Sequence, residues 1–272
     1  MKSLDGRELA GFVKERQAAR VRSLAGQGVR PRLVIVRDSE NPVIEKYVRL
    51  KQRYGEDIGV EVVDVLVSGL EGLKEAVQTA SRDEAVAGII VQLPLSDKDW
   101  TDEVVGLIAS EKDVDGLSGK GAFDSATATA VHWLLNGYDV ELAGARLAIV
   151  GRGRLVGAPL YKMWGNSGLD VSLLHRGDDL LTLREFDVIV TATGVPGLIT
   201  SEMVRPGATL VDAGTASEGG VLVGDVADAV RERTDLAAIT PKVGGVGPLT
   251  VSVLFENVIA AAEKRGYFGE VD

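Results

Sequence analysis

Short runs of β-branched and aliphatic residues recur along this chain, separated by longer stretches in which apolar residues return every three or four positions. The runs lie at 33–36, 60–67 and 88–92 in the first half, and at 147–150, 171–174, 188–190 and 209–212 in the second. Near-continuous apolar character suits strands covered on both faces, and the alternation with helical stretches predicts an α/β fold with parallel sheets. Segments 6–25, 43–57 and 71–82 read as helices. Ser118-Gly119-Lys120-Gly121 reads as a loop, followed by a helix with Val131, Leu134 and Leu135 on one side that Asn136-Gly137 stops. A domain change is expected there, giving an N-terminal α/β domain over 1–138 and a second domain over 139–249. The apolar helical run 250–264 is expected to pack back on the first domain, so that 250–272 belongs with it.

Composition narrows the function classes. The 272 residues are 45% hydrophobic and 26% charged, an ordinary globular balance. Forty acidic against thirty basic residues give a net charge of −10, which argues against nucleic acid as a partner. With no cysteine, neither disulfides nor thiolate metal sites exist, and the two histidines, His132 and His175, are not at metal-ligand spacing. The first residues are charged rather than apolar, and no run approaches the roughly 20 apolar residues of a membrane span. A cytoplasmic protein without membrane contact is expected, and no metal.

The sharpest local signal is Gly151-Arg152-Gly153-Arg154-Leu155-Val156-Gly157-Ala158-Pro159, directly after the strand ending at Val150. Strand, glycine turn and helix start form the dinucleotide-binding arrangement, in which backbone N–H groups and a helix N-terminus meet a pyrophosphate. The alternative is a tight strand-to-helix turn with no ligand. The strand-like runs that follow favour the first reading, a Rossmann-type NAD(P)-binding domain. The next strand ends in His175-Arg176, where an NAD-selective site usually offers a carboxylate. These cations and Arg152 suit a 2′-phosphate and favour NADP, while nearby Asp178 and Asp179 leave NAD open.

Tyr47 and Lys51 stand four residues apart on one face of a predicted helix. Taken alone, they are a half-buried tyrosine beside a solvated lysine. Gln92 falls where the strand at 88–92 runs into the proline turn Leu93-Pro94, the strand end at which open α/β sheets gather ligand groups. Asp115 lies in the compact charged turn Lys112-Asp113-Val114-Asp115-Gly116, where an aspartate either receives paired donors from a heterocycle or caps backbone. Gly244-Gly245-Val246-Gly247-Pro248 precedes the last helix and reads as a loop against a flat ligand or a connector between domains. His132 and the three tryptophans read as packing residues.

In content, order and spacing these segments resemble the bifunctional methylenetetrahydrofolate dehydrogenase/cyclohydrolase family. The matching pieces are YVRLK at 47–51, VQLPL at 91–95, KDVDG at 112–116, the glycine turn, ATG at 192–194, GDV at 224–226 and GGVGPLT at 244–250. The resemblance implies NADP-dependent oxidation of 5,10-methylenetetrahydrofolate, hydrolysis of the methenyl product to 10-formyltetrahydrofolate, and a homodimer. It implies that Tyr47 stacks on the folate, Lys51 activates water or moves a proton, Gln92 tunes that lysine and Asp115 anchors the pterin. Gly244, Gly245 and Pro248 would complete the substrate site. Gly151, Arg152, Gly153, Gly157, His175, Arg176, Thr193 and Gly194 would hold the cofactor. Two rivals are a shikimate-dehydrogenase-like enzyme and a diverged, catalytically weak nucleotide-binding relative.

The chain departs from the family pattern at several places. Ser125-Ala126-Thr127-Ala128 keeps only the threonine of Pro-Cys-Thr-Pro, and Val243, after Lys242, replaces a proline. Gly153 stands where serine is common, and the segment ending Thr215-Ala216 lacks its usual asparagine. None of these removes Lys51, Gln92 or Asp115.

Overall fold

The structure, a computed structural model, describes residues 1–214, 216–218 and 221–268; for 216–218, 221, 222 and 265–268 it describes only the backbone. Thr215 and the side chain of Ala216 therefore lie outside the described residues, as do 269–272 of the expected C-terminal return. In chain order the elements are β1 (Lys2–Ser3), α1 (Gly6–Gly26), β2 (Arg32–Arg37), α2 (Pro42–Ile58), β3 (Glu61–Leu66), α3 (Gly69–Arg82), β4 (Gly88–Val91), α4 (Thr101–Val105) and α5 (Ala126–Gly137). They continue with β5 (Leu147–Val150), α6 (Gly157–Asn166), β6 (Val171–Leu174), β7 (Val188–Thr191), β8 (Thr209–Asp212), β9 (Ala216–Glu218), β10 (Val221–Val223), α7 (Asp228–Arg231), β11 (Ala238–Ile239) and α8 (Val246–Phe268).

The chain divides into two compact units, Met1–Gly11 with Thr127–Thr250, and Phe12–Ala126 with Val251–Asp272. The sequence-based border at 138/139 lies one helix downstream of this division, because α5 groups with the strands that follow it.

The unit built around Phe12–Ala126 holds a parallel sheet in the order β3-β2-β4. One face packs Val34, Val36, Ile89 and Val91 against Leu73, Val77 and Ala80 of α3 and Val104 and Val105 of α4. On the other side α2 and α8 meet, with the rings of Tyr54 and Phe255 stacked at 4.9 Å. Gly55 makes this close packing tolerable, since a Cβ there would lie 2.5 Å from Val62 and 3.2 Å from Phe255. The C-terminal helix thus packs back on the N-terminal sheet, as its sequence suggested. By length and composition α8 is apolar enough to cross a membrane, yet Val253, Leu254, Phe255, Val258 and Ile259 are buried in the protein. Its apolarity is that of a core helix.

The other unit carries a six-stranded parallel sheet in the order β1-β11-β8-β7-β5-β6. Ala148, Val150, Ile189, Leu210 and Ile239 pack with Leu183, Ile199, Val204 and Val230 in its core. The order reverses at β5, so β5 and its neighbours form the switch point at whose carboxyl edge such sheets bind nucleotides. His132 sits under α6 and accepts a hydrogen bond at Nδ1 from Trp164 Nε1 at 3.3 Å. The Asn136 amide nitrogen lies 3.0 Å from the other ring nitrogen, Nε2. Burial lowers the pKa of His132, which favours the neutral ring.

Candidate active site

One strand end, one turn and one helix carry the catalytic candidates. Asn41 caps α2 by accepting the Val43 N–H at 2.8 Å, and Pro42 starts the helix where a missing N–H costs nothing. The helix then presents half-buried Tyr47 and, one turn on, Lys51. Gln92 follows β4 directly and is buried. Lys51 Nζ donates to Gln92 Oε1 at 2.7 Å, while Gln92 Nε2 donates to the Leu93 carbonyl at 3.0 Å. That second bond fixes which end of the amide faces the lysine. Burial lowers the pKa of Lys51, and the nearby Asp115 carboxylate partly offsets this. A neutral partner such as Gln92 orients the amine without adding the charge that would restore its full basicity.

Asp115 is held by a turn whose other charged residues are occupied structurally. The Lys112 ammonium is buried and donates to the carbonyls of Ala80, Ser81 and Asp83 at 3.2, 2.7 and 2.7 Å, satisfying the end of α3. The Asp113 carboxylate accepts the N–H groups of Leu117 and Ser118 and the Ser118 hydroxyl, the last at 2.6 Å. Asn257 of α8 donates to the Val114 carbonyl at 2.8 Å. The turn also lies hard against β4: a Cβ at Gly88 would sit 2.7 Å from Val114 Cγ1. Asp115 is thereby fixed beside Lys51. Its pKa rises to about 6 through burial, held back by the Lys51 cation and pushed further by Asp113. From the sequence Lys112 and Asp113 stood only as part of the KDVDG turn, without roles of their own.

On the nucleotide side, a Cβ at Gly157 would lie 1.8 Å from the Gly151 carbonyl oxygen, and one at Gly151 would lie 2.6 Å from the Ala192 oxygen. Gly151 also has φ of +106°. These two glycines let β5 and α6 approach closely at the switch point, with no side chain capping the α6 N-terminus. Gly153 differs, because its nearest neighbour would be 3.9 Å from a Cβ. This explains why a serine can stand at that position in the family pattern. Gly157→Ala is expected to cost at least tenfold in NADP affinity and Gly153→Ala less than threefold, measured by fluorescence titration; equal losses would refute the distinction.

Arg152, His175 and Arg176 are all exposed. Asp178 accepts the His175 backbone N–H at 2.7 Å and pairs with its Nδ1 at 3.1 Å, so that carboxylate is turned onto its own loop. Gly194, with φ of +69°, follows Thr193 at the end of β7. A glycine cradle beside a helix N-terminus, with exposed cations after the next strand, fits a phosphorylated dinucleotide.

The late glycine loop has an internal explanation. The Gly6 N–H donates to the Gly244 carbonyl at 2.9 Å, and a Cβ on Gly6 would lie 1.9 Å from the Gly245 oxygen. Gly244, at φ +95°, is pressed on the Arg7 guanidinium, and Gly245 on Thr240. Pro248 lies in the first turn of α8. Val243 is exposed and Lys242 pairs with Asp228 at 2.9 Å. Ser125, Ala126 and Ala128 are buried where α5 begins, so small residues suit this short loop.

Family models match both parts of the chain. "Tetrahydrofolate dehydrogenase/cyclohydrolase, catalytic domain" matches residues 4–115, and the corresponding NAD(P)-binding domain matches 125–266. The bifunctional protein FolD of Macrococcus caseolyticus is 35% identical, the alignment covering 97% of this chain and 98% of that one. The bifunctional dehydrogenase/cyclohydrolase of Campylobacter jejuni superposes with a TM-score of 0.92 at 33% identity, covering 97% and 99% of the two chains. The Trypanosoma brucei enzyme, solved with NADP cofactor and an inhibitor, gives 0.90 at 32% identity and covers 97% of each.

Proposed function

The chain belongs to the tetrahydrofolate dehydrogenase/cyclohydrolase family, and we propose that Lys51, Gln92 and Asp115 are the residues that carry its chemistry. The protein is an NADP-dependent methylenetetrahydrofolate dehydrogenase and methenyltetrahydrofolate cyclohydrolase. Neither the shikimate-dehydrogenase-like reading nor the weak nucleotide-binding relative is favoured.

The observation carrying the residue assignment is the 2.7 Å bond from Lys51 to Gln92, made by a lysine whose pKa is lowered beside Asp115. NADP, when bound, supplies the hydride acceptor for the first step. Gly151, Arg152, Gly153, Gly157, His175, Arg176, Thr193 and Gly194 are our candidates for holding it. For the second step, neutral Lys51 accepts a proton from the water that adds to the methenyl carbon and returns it to the departing ring nitrogen as the C–N bond opens, while the hydroxyl proton leaves to solvent as the formyl C=O forms. Gln92 aims the lysine lone pair by holding one N–H. Asp115 receives the donor edge of the pterin through charge-assisted hydrogen bonds. Tyr47, a turn before Lys51, offers a ring face to the folate, and Gly244, Gly245 and Pro248 are the remaining substrate candidates.

The test supplies methylenetetrahydrofolate with NADP and follows NADPH and the methenyl intermediate in one assay. Turnover through both steps is expected. Accumulation of methenyltetrahydrofolate at its uncatalysed rate of hydrolysis would refute the catalytic set.

We also propose a homodimer in the cytoplasm. β3 is an edge strand, with Val63 and Val65 half-buried and Leu66 43% exposed, and such an edge invites pairing with a second copy. Leu66→Glu is expected to halve the mass seen by light scattering. A dimer that survives this change would exclude the β3 edge as its interface.

A further inference from the structure

Behind the Thr193–Gly194 turn lies a buried carboxylate that no step above uses. Asp225 follows β10 and is fully buried. Its Oδ2 accepts two short hydrogen bonds, from the Thr191 hydroxyl and from the Thr193 backbone N–H, each 2.6 Å. The same residue grips the far end of this loop, because its main-chain carbonyl accepts the Ile199 N–H at 2.9 Å and the neighbouring Gly224 carbonyl accepts Gly197 N–H at 3.2 Å. The loop between Thr193 and Ile199 is therefore held at both ends from one short segment.

That segment is itself fixed by a second carboxylate. Asp212 Oδ1 accepts the N–H of Asp225 and Oδ2 that of Val226, both at 3.1 Å, and Arg231 bonds to Asp212. Two glycines make the arrangement possible. A Cβ at Gly224 would lie 2.0 Å from Asp212 Oδ2, and one at Gly214 would lie 2.0 Å from Asp225 Oδ1. Asp225 Oδ1 itself has no hydrogen-bond partner. A buried carboxylate oxygen left without a partner is costly, and such a cost persists where the group's position matters to function.

We propose that Asp225 is a positioning residue for the dehydrogenase half-reaction: it sets the Thr193–Gly194 turn against which the cofactor binds, with no part in the hydrolytic step. The proposal rests on the reading of Thr193 and Gly194 as cofactor contacts.

The bifunctional enzyme contains its own control. In Asp225→Ala the KM for NADP should rise at least tenfold, while kcat/KM for hydrolysis of supplied methenyltetrahydrofolate stays within twofold of wild type. Asp225→Asn, which keeps an acceptor for Thr193 N–H, should recover most of the NADP affinity. Gly214→Ala, which crowds Asp225 from the opposite side, should reproduce the defect of the alanine variant. A KM shift below threefold in Asp225→Ala overturns the proposal. So does a parallel loss of both activities in Asp225→Asn or Gly214→Ala, which would mark a general structural role. If wild-type protein hydrolyses methenyltetrahydrofolate but never reduces NADP, the functional reading fails instead, before any variant is compared.

Discussion

Replacing Lys51 with methionine is expected to lower methenyltetrahydrofolate hydrolysis by roughly 10³-fold, within the range that loss of a general base produces, while NADP affinity changes less than twofold. Methionine keeps the length and burial of the side chain but cannot take a proton. The more discriminating partner is Lys51→Arg. A guanidinium preserves positive charge and a donor for Gln92, yet it stays protonated at every working pH. If Lys51 acts only as a fixed cation, arginine should retain much of the rate; if it acts as a base, arginine should be as inactive as methionine. Burial already lowers the lysine pKa, which favours the second outcome. Hydrolysis followed by absorbance, with cofactor affinity by fluorescence, separates the two.

The second large effect is expected at Asp115. Asp115→Asn should raise the KM for the folate by roughly two orders of magnitude, the scale of a lost charge-assisted pair. It should also move a pH profile. The Asp115 anion raises the Lys51 pKa, so removing it lowers that pKa further, and the rise in hydrolytic rate with pH should begin at lower pH than in wild type. In Lys51→Met the reciprocal shift is expected, with Asp115 titrating above its present value of about 6 because the cation that held it down is gone.

The same substitution has a stability consequence of opposite sign. A carboxyl raised from 3.8 to about 6 binds more protons when folded than when unfolded. Its ionisation therefore removes stability as pH rises from about 4 to 6, by at most about 3 kcal/mol. Asparagine has no charge to bury. Asp115→Asn should melt several degrees higher than wild type at pH 7.5, with the difference fading towards pH 4. An unchanged or lower melting temperature at pH 7.5 would show that the buried anion is better compensated than its surroundings indicate.

Much of this architecture was legible as pattern. All seven long strand runs appear as strands, because a parallel strand covered on both faces must be apolar along its length. The two-residue strands β1 and β11 were not legible, since two positions carry no periodicity. Lys51 and Gln92 could be proposed as partners only through the family resemblance; spacing along the chain says nothing about a hydrogen bond spanning 41 residues. Glycines show the limit most clearly. Gly151, Gly153 and Gly157 look equivalent in sequence, but only the first and last have backbone where a Cβ would go. Gly244 and Gly245 suggested a ligand surface, and nothing in the sequence shows that they are also pressed on Arg7, Gly6 and Thr240. Asp225 stands in the GDV motif at 224–226, but the motif gave it no role, because nothing in the sequence says which backbone and hydroxyl groups a buried carboxylate holds.

The Tyr54–Phe255 stack joins a residue from the first quarter of the chain to one near its end, inside a unit whose sheet is complete by Val91. During synthesis, β2, β3 and β4 leave the ribosome long before the helix that covers one of their faces exists. The segment 127–250 has its own elements in hand by then, and the N-terminal residues that join it were made first. The unit translated first is therefore finished last, and for more than a hundred residues of elongation its apolar surface depends on chaperones or on transient collapse for shelter.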